Sequence, residues 1–170
     1  MASMLRKVDA RDQYIPFPMQ AFLIGTTGED GSDNFGLFCW LNCCWDGELC
    51  LSLCMDGNKA TKSAIERTRR FTASLVDRDM LATAGAIASA RGAEKRALVA
   101  ALPKDRGELG IAYARESPLV FEAEVKQTVR LDGSDLFICR IASTLASDSL
   151  VGEPYGISSA DAVVVAQQSF

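Results

Sequence analysis

Apolar runs of strand length, separated by strong turn signals, constrain the fold of this 170-residue chain more than any other feature. Residues 19–27 (M-Q-A-F-L-I-G-T-T) form a nearly continuous apolar run that is typical of a buried strand. The turn-rich segment 28–33 (G-E-D-G-S-D) closes it, and residues 34–41 (N-F-G-L-F-C-W-L) supply a returning strand. The pattern therefore predicts a β-hairpin early in the chain.

A second hairpin is predicted late in the chain. Residues 118–130 (P-L-V-F-E-A-E-V-K-Q-T-V-R) alternate between apolar and polar from Val120 on, and Asp132-Gly133 is a turn signal. Residues 135–147 (D-L-F-I-C-R-I-A-S-T-L-A-S) then make another long strand. Antiparallel pairing follows, because the turn is too short for a crossover.

Residues 48–54 (E-L-C-L-S-L-C) predict a further strand between the two hairpins. Since side chains alternate across a strand, three leucines fall on one face and three small polar or thiol side chains on the other. The first face holds Leu49, Leu51 and Leu53, and the second holds Cys50, Ser52 and Cys54.

A helix is predicted over residues 61–70. Ser63 and Glu66 have the spacing of a capping box, while Thr61 and Asn58 are equally good N-caps, so the sequence leaves its first residue open.

Residues 71–76 (F-T-A-S-L-V) predict a strand, and Asp77 or Asp79 then caps an Ala-rich helix that runs to about Ser89. The charge-rich residues 90–117 predict a helix-plus-loop excursion over the surface. Strands at both ends of the chain with helices between them predict a mainly β, mostly antiparallel barrel with peripheral helices. Neither a GxGxxG nor a GxxxxGK[ST] motif occurs, which argues against a Rossmann fold and a P-loop.

Composition narrows the function. The net charge of −4 and pI near 4.9 argue against nucleic acid and anionic membranes as partners. No apolar run reaches the length of a membrane span, and the charged N-terminus lacks the apolar centre of a signal peptide. We therefore expect a single cytoplasmic domain over residues 1–170.

Histidine is absent, which excludes His-dependent triads and HExxH zinc sites and makes a bound cofactor the simplest source of chemistry. The six cysteines are expected to be thiols, and most of them small buried side chains. No C-x-x-C pair occurs among them, so we predict no metal site.

Four stretches together identify a family. They are N-F-G-L-F-C-W with Asn34 and Trp40, K-A-T with Lys59 and Thr61, G-A-E-K ending at Lys95, and D-G-S-D-L-F-I-C-R-I over residues 132–141. In this order, from about Pro16 to Val151, the chain resembles the flavin reductase-like, flavoredoxin-type FMN-binding proteins. The resemblance implies a split β-barrel of Greek-key type, a homodimer, and FMN in a groove near the subunit interface.

The resemblance also implies cofactor-binding residues. Asn34, Lys59 and Thr61 would surround the phosphate at the start of the first helix, although without the family ordinary capping is the preferred explanation of Lys59 and Thr61. Lys95 would supply a second cation for the phosphate or for a ring oxygen. Trp40 either lines the flavin pocket or is a core aromatic, and Lys95 is otherwise a solvated charge. The remaining candidates are Leu41, Asn42 and Cys43 through backbone hydrogen bonds, Ser134, and Phe170 if the C-terminus folds back.

Two departures from the family pattern bear on activity. Ser134 stands where the family carries a histidine, and Cys139-Arg140 replaces a Gly-Glu pair.

The resemblance implies hydride or electron transfer through flavin N5, with NADH or NADPH as donor and a redox partner protein as acceptor. The alternative is a noncatalytic flavin-binding or redox-sensing protein that has lost nicotinamide recognition, and a weaker one is a structural barrel without cofactor. No residue is assigned a catalytic role.

Overall fold

The computed structural model describes residues 18–151, residue 162 and residues 164–166. The strands are β1 (Pro18–Gln20), β2 (Phe22–Thr27), β3 (Asp33–Phe38), β4 (Leu41–Trp45), β5 (Leu49–Asp56), β6 (Arg70–Leu75), β7 (Lys104–Arg106), β8 (Ala112–Ala114), β9 (Leu119–Arg130), β10 (Ser134–Ala146) and β11 (Val164–Ala166). The helices are α1 (Ala60–Thr68), α2 (Leu81–Ser89) and α3 (Gly92–Ala101).

Seven strands form one sheet in the order β3-β2-β6-β9-β10-β5-β4, and all their pairings are antiparallel. Two small sheets, β1 with β11 and β7 with β8, accompany it. The mainly β, antiparallel architecture with peripheral helices is therefore confirmed. The long β9–β10 ladder turns at Asp132-Gly133 as predicted, where Gly133 has a φ of 77° that favours glycine.

The core has two parts because β2 is buried on both faces. Phe22 and Ile24 face a cluster with Phe71 and Phe137, while Leu23 on the opposite face packs with residues of β3, α2 and α3. This double burial is why residues 21–24 (A-F-L-I) are all apolar instead of alternating with polar residues.

The predicted strand 34–41 is wrong at its end. Strand β3 stops at Phe38, and a separate edge strand, β4, begins at Leu41 and pairs with β5. Between them the chain leaves its pairing with β2, and the Cys54 N–H donates to the Trp40 carbonyl at 2.9 Å. Because residues 35–41 are almost all apolar, the sequence does not indicate this change of partner strand.

The two faces of β5 are as predicted, but burial along the strand does not follow them. Leu51 and Leu53 are fully buried, but Leu49 is 55% exposed and Cys50 on the other face is fully buried. Leu49 and its cross-strand partner Trp45 lie at the tip of the β4–β5 hairpin, beyond the edge of the core. Strand alternation predicts the face of a side chain, but not whether the core extends far enough to cover it.

The predicted caps of α1 are wrong. Its N-cap is Lys59, without a side-chain hydrogen bond, and Glu66 forms an ion pair with Arg130 at 2.6 Å instead of a capping box. At α2, the Asp77 Oδ1 atom accepts a hydrogen bond of 3.0 Å from the N–H of Met80, the residue before the helix. The N-cap of α2 is Met80, so the prediction that Asp77 or Asp79 caps this helix is wrong, although Asp77 accepts a hydrogen bond close to its start.

The predicted excursion over residues 90–117 contains α3, β7 and β8. Among the described residues, no helix is long and apolar enough to cross a membrane.

Candidate functional site

A cavity of about 440 Å³ opens where α1, α3 and β3 meet. We call it the cation cavity, because Lys59, Arg91 and Lys95 line it together with Asn34 and Thr61. These five residues come from three separate parts of the chain: strand β3, the start of α1 and the start of α3.

Two helix N-termini meet at the cation cavity. The Ser63 N–H bonds to the Lys59 carbonyl at the start of α1, and the Lys95 N–H bonds to the Arg91 carbonyl at the start of α3. The amides that precede these first bonds have no acceptor within their own helix. Because the N-terminal end of a helix carries partial positive charge, both helices favour an anion in this cavity.

The side chain of Asn34 fixes the start of α1 against the sheet. Its Nδ2 atom donates to Thr26 Oγ1 at 2.9 Å and to Thr61 Oγ1 at 3.1 Å. Gly36 allows this close approach, because a Cβ atom there would lie 2.7 Å from the Phe38 ring and 3.0 Å from Thr61 Oγ1. The Thr61 hydroxyl is thereby held at the wall of the cavity.

Charge in the cation cavity is unbalanced. No carboxylate is among the described residues that line it. Burial, together with the nearby Arg91 charge, lowers the pKa of Lys95. An ammonium that is half-buried beside another cation is stabilised by a bound anion.

Lys59 connects this cavity to a neighbouring one. It donates to the Asp56 carboxylate and, at 3.2 Å, to the Asp56 carbonyl. The hydrogen bond from Lys59 lowers the pKa of Asp56. Lys59 therefore has a carboxylate partner, whereas no carboxylate of the described residues pairs with Lys95.

The neighbouring cavity, about 230 Å³, is mostly apolar. Leu37, Phe38 and Lys59 belong to both cavities, and Trp40 and Asp56 line only this one, which we call the aromatic cavity. The two together suit a ligand with an anionic group at one end and a flat apolar ring at the other.

The predicted site residues divide into three groups. Asn34, Lys59, Thr61 and Lys95 line the cation cavity, and Trp40 lines the aromatic cavity. The side chain of Leu41 is buried in the core, whereas Asn42 and Cys43 are exposed on edge strand β4, and none of the three lines either cavity. Their predicted backbone contacts stay predictions. Phe170 lies outside the described residues.

Ser134 lies in a third cavity of about 330 Å³, which we call the Ser134 cavity. Lys62 and Asp135 line it too, and their side chains form an ion pair at 2.5 Å. Arg130 pairs with the same Asp135 oxygen at 2.7 Å. Hydrogen bonding from Lys62, followed by that from Arg130, lowers the pKa of Asp135.

Sequence reasoning missed Arg91 and Asp56. Arg91 directly precedes the G-A-E-K stretch, but its charge-rich surroundings indicated a solvated surface. Asp56 lies three residues before Lys59 in the same turn, a spacing that allows an ion pair.

The cysteines form no cluster suited to a metal. All six are free thiols, and no group of three or more Cys, Asp or Glu positioned to hold a metal ion occurs among the described residues. Burial raises the pKa of Cys139 to about 12, so this thiol is not ionised at neutral pH.

The sheet and the paired cavities define a mainly β protein with a site for an anionic, partly apolar ligand. The family described as "Flavin reductase like domain" matches residues 15–158, and the chain belongs to this family. The comparison with curated proteins finds no match.

Solved structures show the same fold. The flavoredoxin of Desulfovibrio vulgaris (Miyazaki F) is 21% identical, with a TM-score of 0.82 over 96% of this chain and 88% of that one. An FMN-binding protein of Thermus thermophilus, solved with p-hydroxybenzaldehyde, is 19% identical, with a TM-score of 0.74 over 91% and 86%. A flavin reductase-like protein of Shewanella frigidimarina NCIMB 400, described as having a split barrel domain, is 18% identical, with a TM-score of 0.78 over 90% and 80%. The fold is therefore a split β-barrel.

Proposed function

We propose that this chain binds FMN, with the phosphate in the cation cavity and the ring in the aromatic cavity. The observation that carries the proposal is the meeting of two helix N-termini with Lys59, Arg91 and Lys95 around one cavity without a lining carboxylate. A phosphate dianion is the ligand that such a set of amide, hydroxyl and ammonium donors favours. Family membership and the FMN-binding protein of Thermus thermophilus support the same cofactor.

Each residue has a distinct part in holding the cofactor. Lys95 and Arg91 supply charge, the Thr61 hydroxyl and the first amides of α1 supply hydrogen bonds, and Asn34 keeps Thr61 in place. Trp40 supplies an apolar aromatic surface for the ring. Lys59 lies at the junction of the two cavities and is positioned for either end of the ligand.

We further propose a flavin reductase-type activity with NADH or NADPH as donor. Bound FMN would supply the hydride and electron transfer, which needs no histidine in the protein. The chain's own contribution is to orient the ring and exclude water from it, and the apolar walls formed by Leu37, Phe38 and Trp40 are suited to both.

A noncatalytic flavin-binding protein is the second candidate, and the position of Ser134 favours it. Ser134 stands where the family carries a histidine, and it lines the Ser134 cavity rather than the aromatic cavity. Steady-state oxidation of NADH and NADPH by the FMN-loaded protein separates the two candidates. A rate above that of free FMN supports the reductase, and a rate equal to it supports the binder.

The FMN site is tested by titrating the protein with FMN and with riboflavin, which lacks the phosphate, while flavin fluorescence is followed. Lys95→Gln and Arg96→Gln each remove one charge from α3, but only Lys95 lines the cavity and Arg96 is exposed. We expect Lys95→Gln to weaken FMN binding about tenfold and to leave riboflavin binding unchanged. Arg96→Gln should leave both unchanged. Equal affinity of the wild type for FMN and riboflavin would contradict the phosphate site.

We also propose a homodimer, which the family resemblance implies. The exposed apolar pair Trp45 and Leu49 at the tip of the β4–β5 hairpin is the contact that we select. Sedimentation of the wild type and of a Trp45→Ser, Leu49→Ser double variant tests it. A monomeric wild type, or a variant that dimerises equally well, would contradict this contact.

A further inference from the structure

The β4–β5 hairpin places two cysteines directly opposite each other. Cys44 and Cys50 are Cα partners in its antiparallel ladder, so both side chains point to the same face of the sheet. Directly opposed residues in such a ladder have Cα atoms about 4.5 or 5.5 Å apart. Both separations fall inside the range of about 4.4–6.8 Å that a disulfide spans.

The other strand cysteines lack such a partner. In the ladders of the described residues, Cys43 and Cys139 both lie opposite Leu51, and Cys54 lies opposite Leu136. The facing thiols are therefore a specific feature of Cys44 and Cys50 and not a consequence of the high cysteine content of this region.

A lysine ammonium lies beside Cys50. The Lys126 ammonium lies 4.0 Å from Cys50 Sγ, and ion pairs with Asp46 at 3.0 Å and Glu48 at 3.1 Å hold it over the hairpin. In disulfide exchange the attacking sulfur carries negative charge, and a cation beside it attracts that charge. Cys50 itself is fully buried and Cys44 is partly exposed, so a reagent in solution reaches Cys44 first.

We propose that Cys44 and Cys50 form a reversible disulfide by exchange with small disulfides such as oxidised glutathione. This would be a redox modification site on the β4–β5 hairpin. Neither cysteine lines the cation cavity or the aromatic cavity, so the proposal does not depend on FMN binding.

The reaction has two exchange steps. The Cys44 thiolate attacks one sulfur of glutathione disulfide, the S–S bond breaks, and one glutathione leaves as its thiolate. The Cys50 thiolate then attacks Cys44 Sγ of the mixed disulfide, and the second glutathione leaves. The protein loses two electrons and two protons, and one glutathione disulfide becomes two glutathione thiols.

The first step is expected to be slow at neutral pH. Burial is the main cause that raises the pKa of Cys44, and the neighbouring Cys50 and Asp46 charges raise it further. Only a small fraction of Cys44 is then thiolate, so the pair responds to sustained oxidation rather than to a brief pulse.

The test equilibrates the 170-residue protein in glutathione buffers of increasing oxidised fraction, labels free thiols with N-ethylmaleimide under denaturing conditions, and counts the labelled thiols. The reduced protein has six, and we expect oxidation to remove two without adding glutathione mass. A glutamate-specific protease then cuts after Glu29, Glu48 and Glu66, which separates Cys44 on residues 30–48 from Cys50 on residues 49–66. The linked pair of these two peptides is the expected product.

Two variants and a matched control assign the bond. Cys44→Ser and Cys50→Ser should each lose the linked peptide completely, whereas Cys43→Ser, which changes the neighbouring exposed cysteine, should retain it.

Lys126→Met should slow formation of the disulfide several-fold, and Lys126→Arg should restore its rate. Absence of a linked peptide in the wild type, or its persistence in Cys44→Ser, would overturn the proposal. Equal closure rates in the wild type and Lys126→Met would overturn the role of Lys126.

Discussion

The cation cavity and the Ser134 cavity both border the start of α1, and Lys95 of the first and Lys62 of the second have opposite surroundings. Lys62 in the Ser134 cavity pairs with Asp135, which also accepts from Arg130. Lys95 in the cation cavity faces Arg91 and has no carboxylate among the described lining residues. The first lysine is neutralised within the fold, and the second keeps its charge available for a ligand.

This difference separates stability from binding. A paired and largely buried charge is costly to leave alone, so removing its partner destabilises the protein. An unpaired cation near another cation opposes folding slightly and becomes favourable only when an anion binds. Variants of the two cavities should therefore affect different measurements.

The largest effect is expected from reversing the charge of Lys95. Lys95→Glu places a carboxylate where we propose the phosphate, so FMN affinity should fall about 100-fold or more. The thermal midpoint should not fall, because the repulsion between Lys95 and Arg91 is removed. Calorimetric titration and thermal unfolding measure the two effects. Lys62→Glu is the matched charge reversal, and it should lower the thermal midpoint because the new carboxylate faces Asp135. A lower midpoint in Lys95→Glu with an unchanged one in Lys62→Glu would contradict the difference between the two cavities.

Asp135→Asn should destabilise the fold and leave binding nearly unchanged. The substitution deprives Lys62, whose side chain is only 14% exposed, and Arg130 of their shared carboxylate. We expect a fall of roughly 5 °C in the thermal midpoint. The control is Asp105→Asn, which breaks a solvent-exposed pair with Arg115 and should have little effect. An equal fall in the thermal midpoint of both variants would show that burial of the Asp135 ion pairs adds nothing to stability.

FMN affinity should decrease at alkaline pH in a way that depends on Lys95. Burial and Arg91 lower the pKa of Lys95 in the free protein, and a bound phosphate would raise it. The affinity for FMN is therefore highest below the lowered pKa of Lys95. It declines as the pH rises through that pKa, by no more than about tenfold per pH unit. Titrations of the wild type and Lys95→Met over the same pH range isolate this contribution from the ionisation of flavin. Parallel pH profiles would contradict it.

The smallest effect is expected at the boundary between the cavities. Asp56→Asn removes the carboxylate that competes for Lys59, so FMN affinity should rise about two- to fivefold. Because both side chains are well exposed, thermal stability should change little. Weaker FMN binding in this variant would show that Asp56 positions Lys59 rather than competing for it.

Much of the fold was predictable because it depends on short-range patterns. The early hairpin, the Asp132-Gly133 turn and the Ala-rich helix follow from apolar periodicity and turn residues. The caps of α1 were not predictable, because the residues suited to capping bind other partners. Thr61 accepts a hydrogen bond from Asn34, and Glu66 forms an ion pair with Arg130. The competing partners are distant in sequence, and a local pattern contains no information about them.

The candidate site was predictable only where the family resemblance supplied it. Five of the residues that it suggested line the paired cavities, and their contact with a cofactor stays a prediction: Asn34, Trp40, Lys59, Thr61 and Lys95. Ser134, which the same resemblance suggested, lies in a different cavity. Arg91 was missed, since an arginine in a charged loop is usually solvated, and its place at the wall of the cation cavity depends on how α2 and α3 pack.

The sequence by itself determined the strands, the two hairpins, the absence of histidine chemistry and the donor types near Lys59 and Lys95. These are properties of composition and of neighbours along the chain. Only the tertiary structure decided which lysine lacks a carboxylate partner among the described residues, because that depends on which carboxylates the folded sheet brings within reach. It brings Asp135 to Lys62 and none of the described carboxylates to Lys95, and the proposed phosphate site follows from this difference.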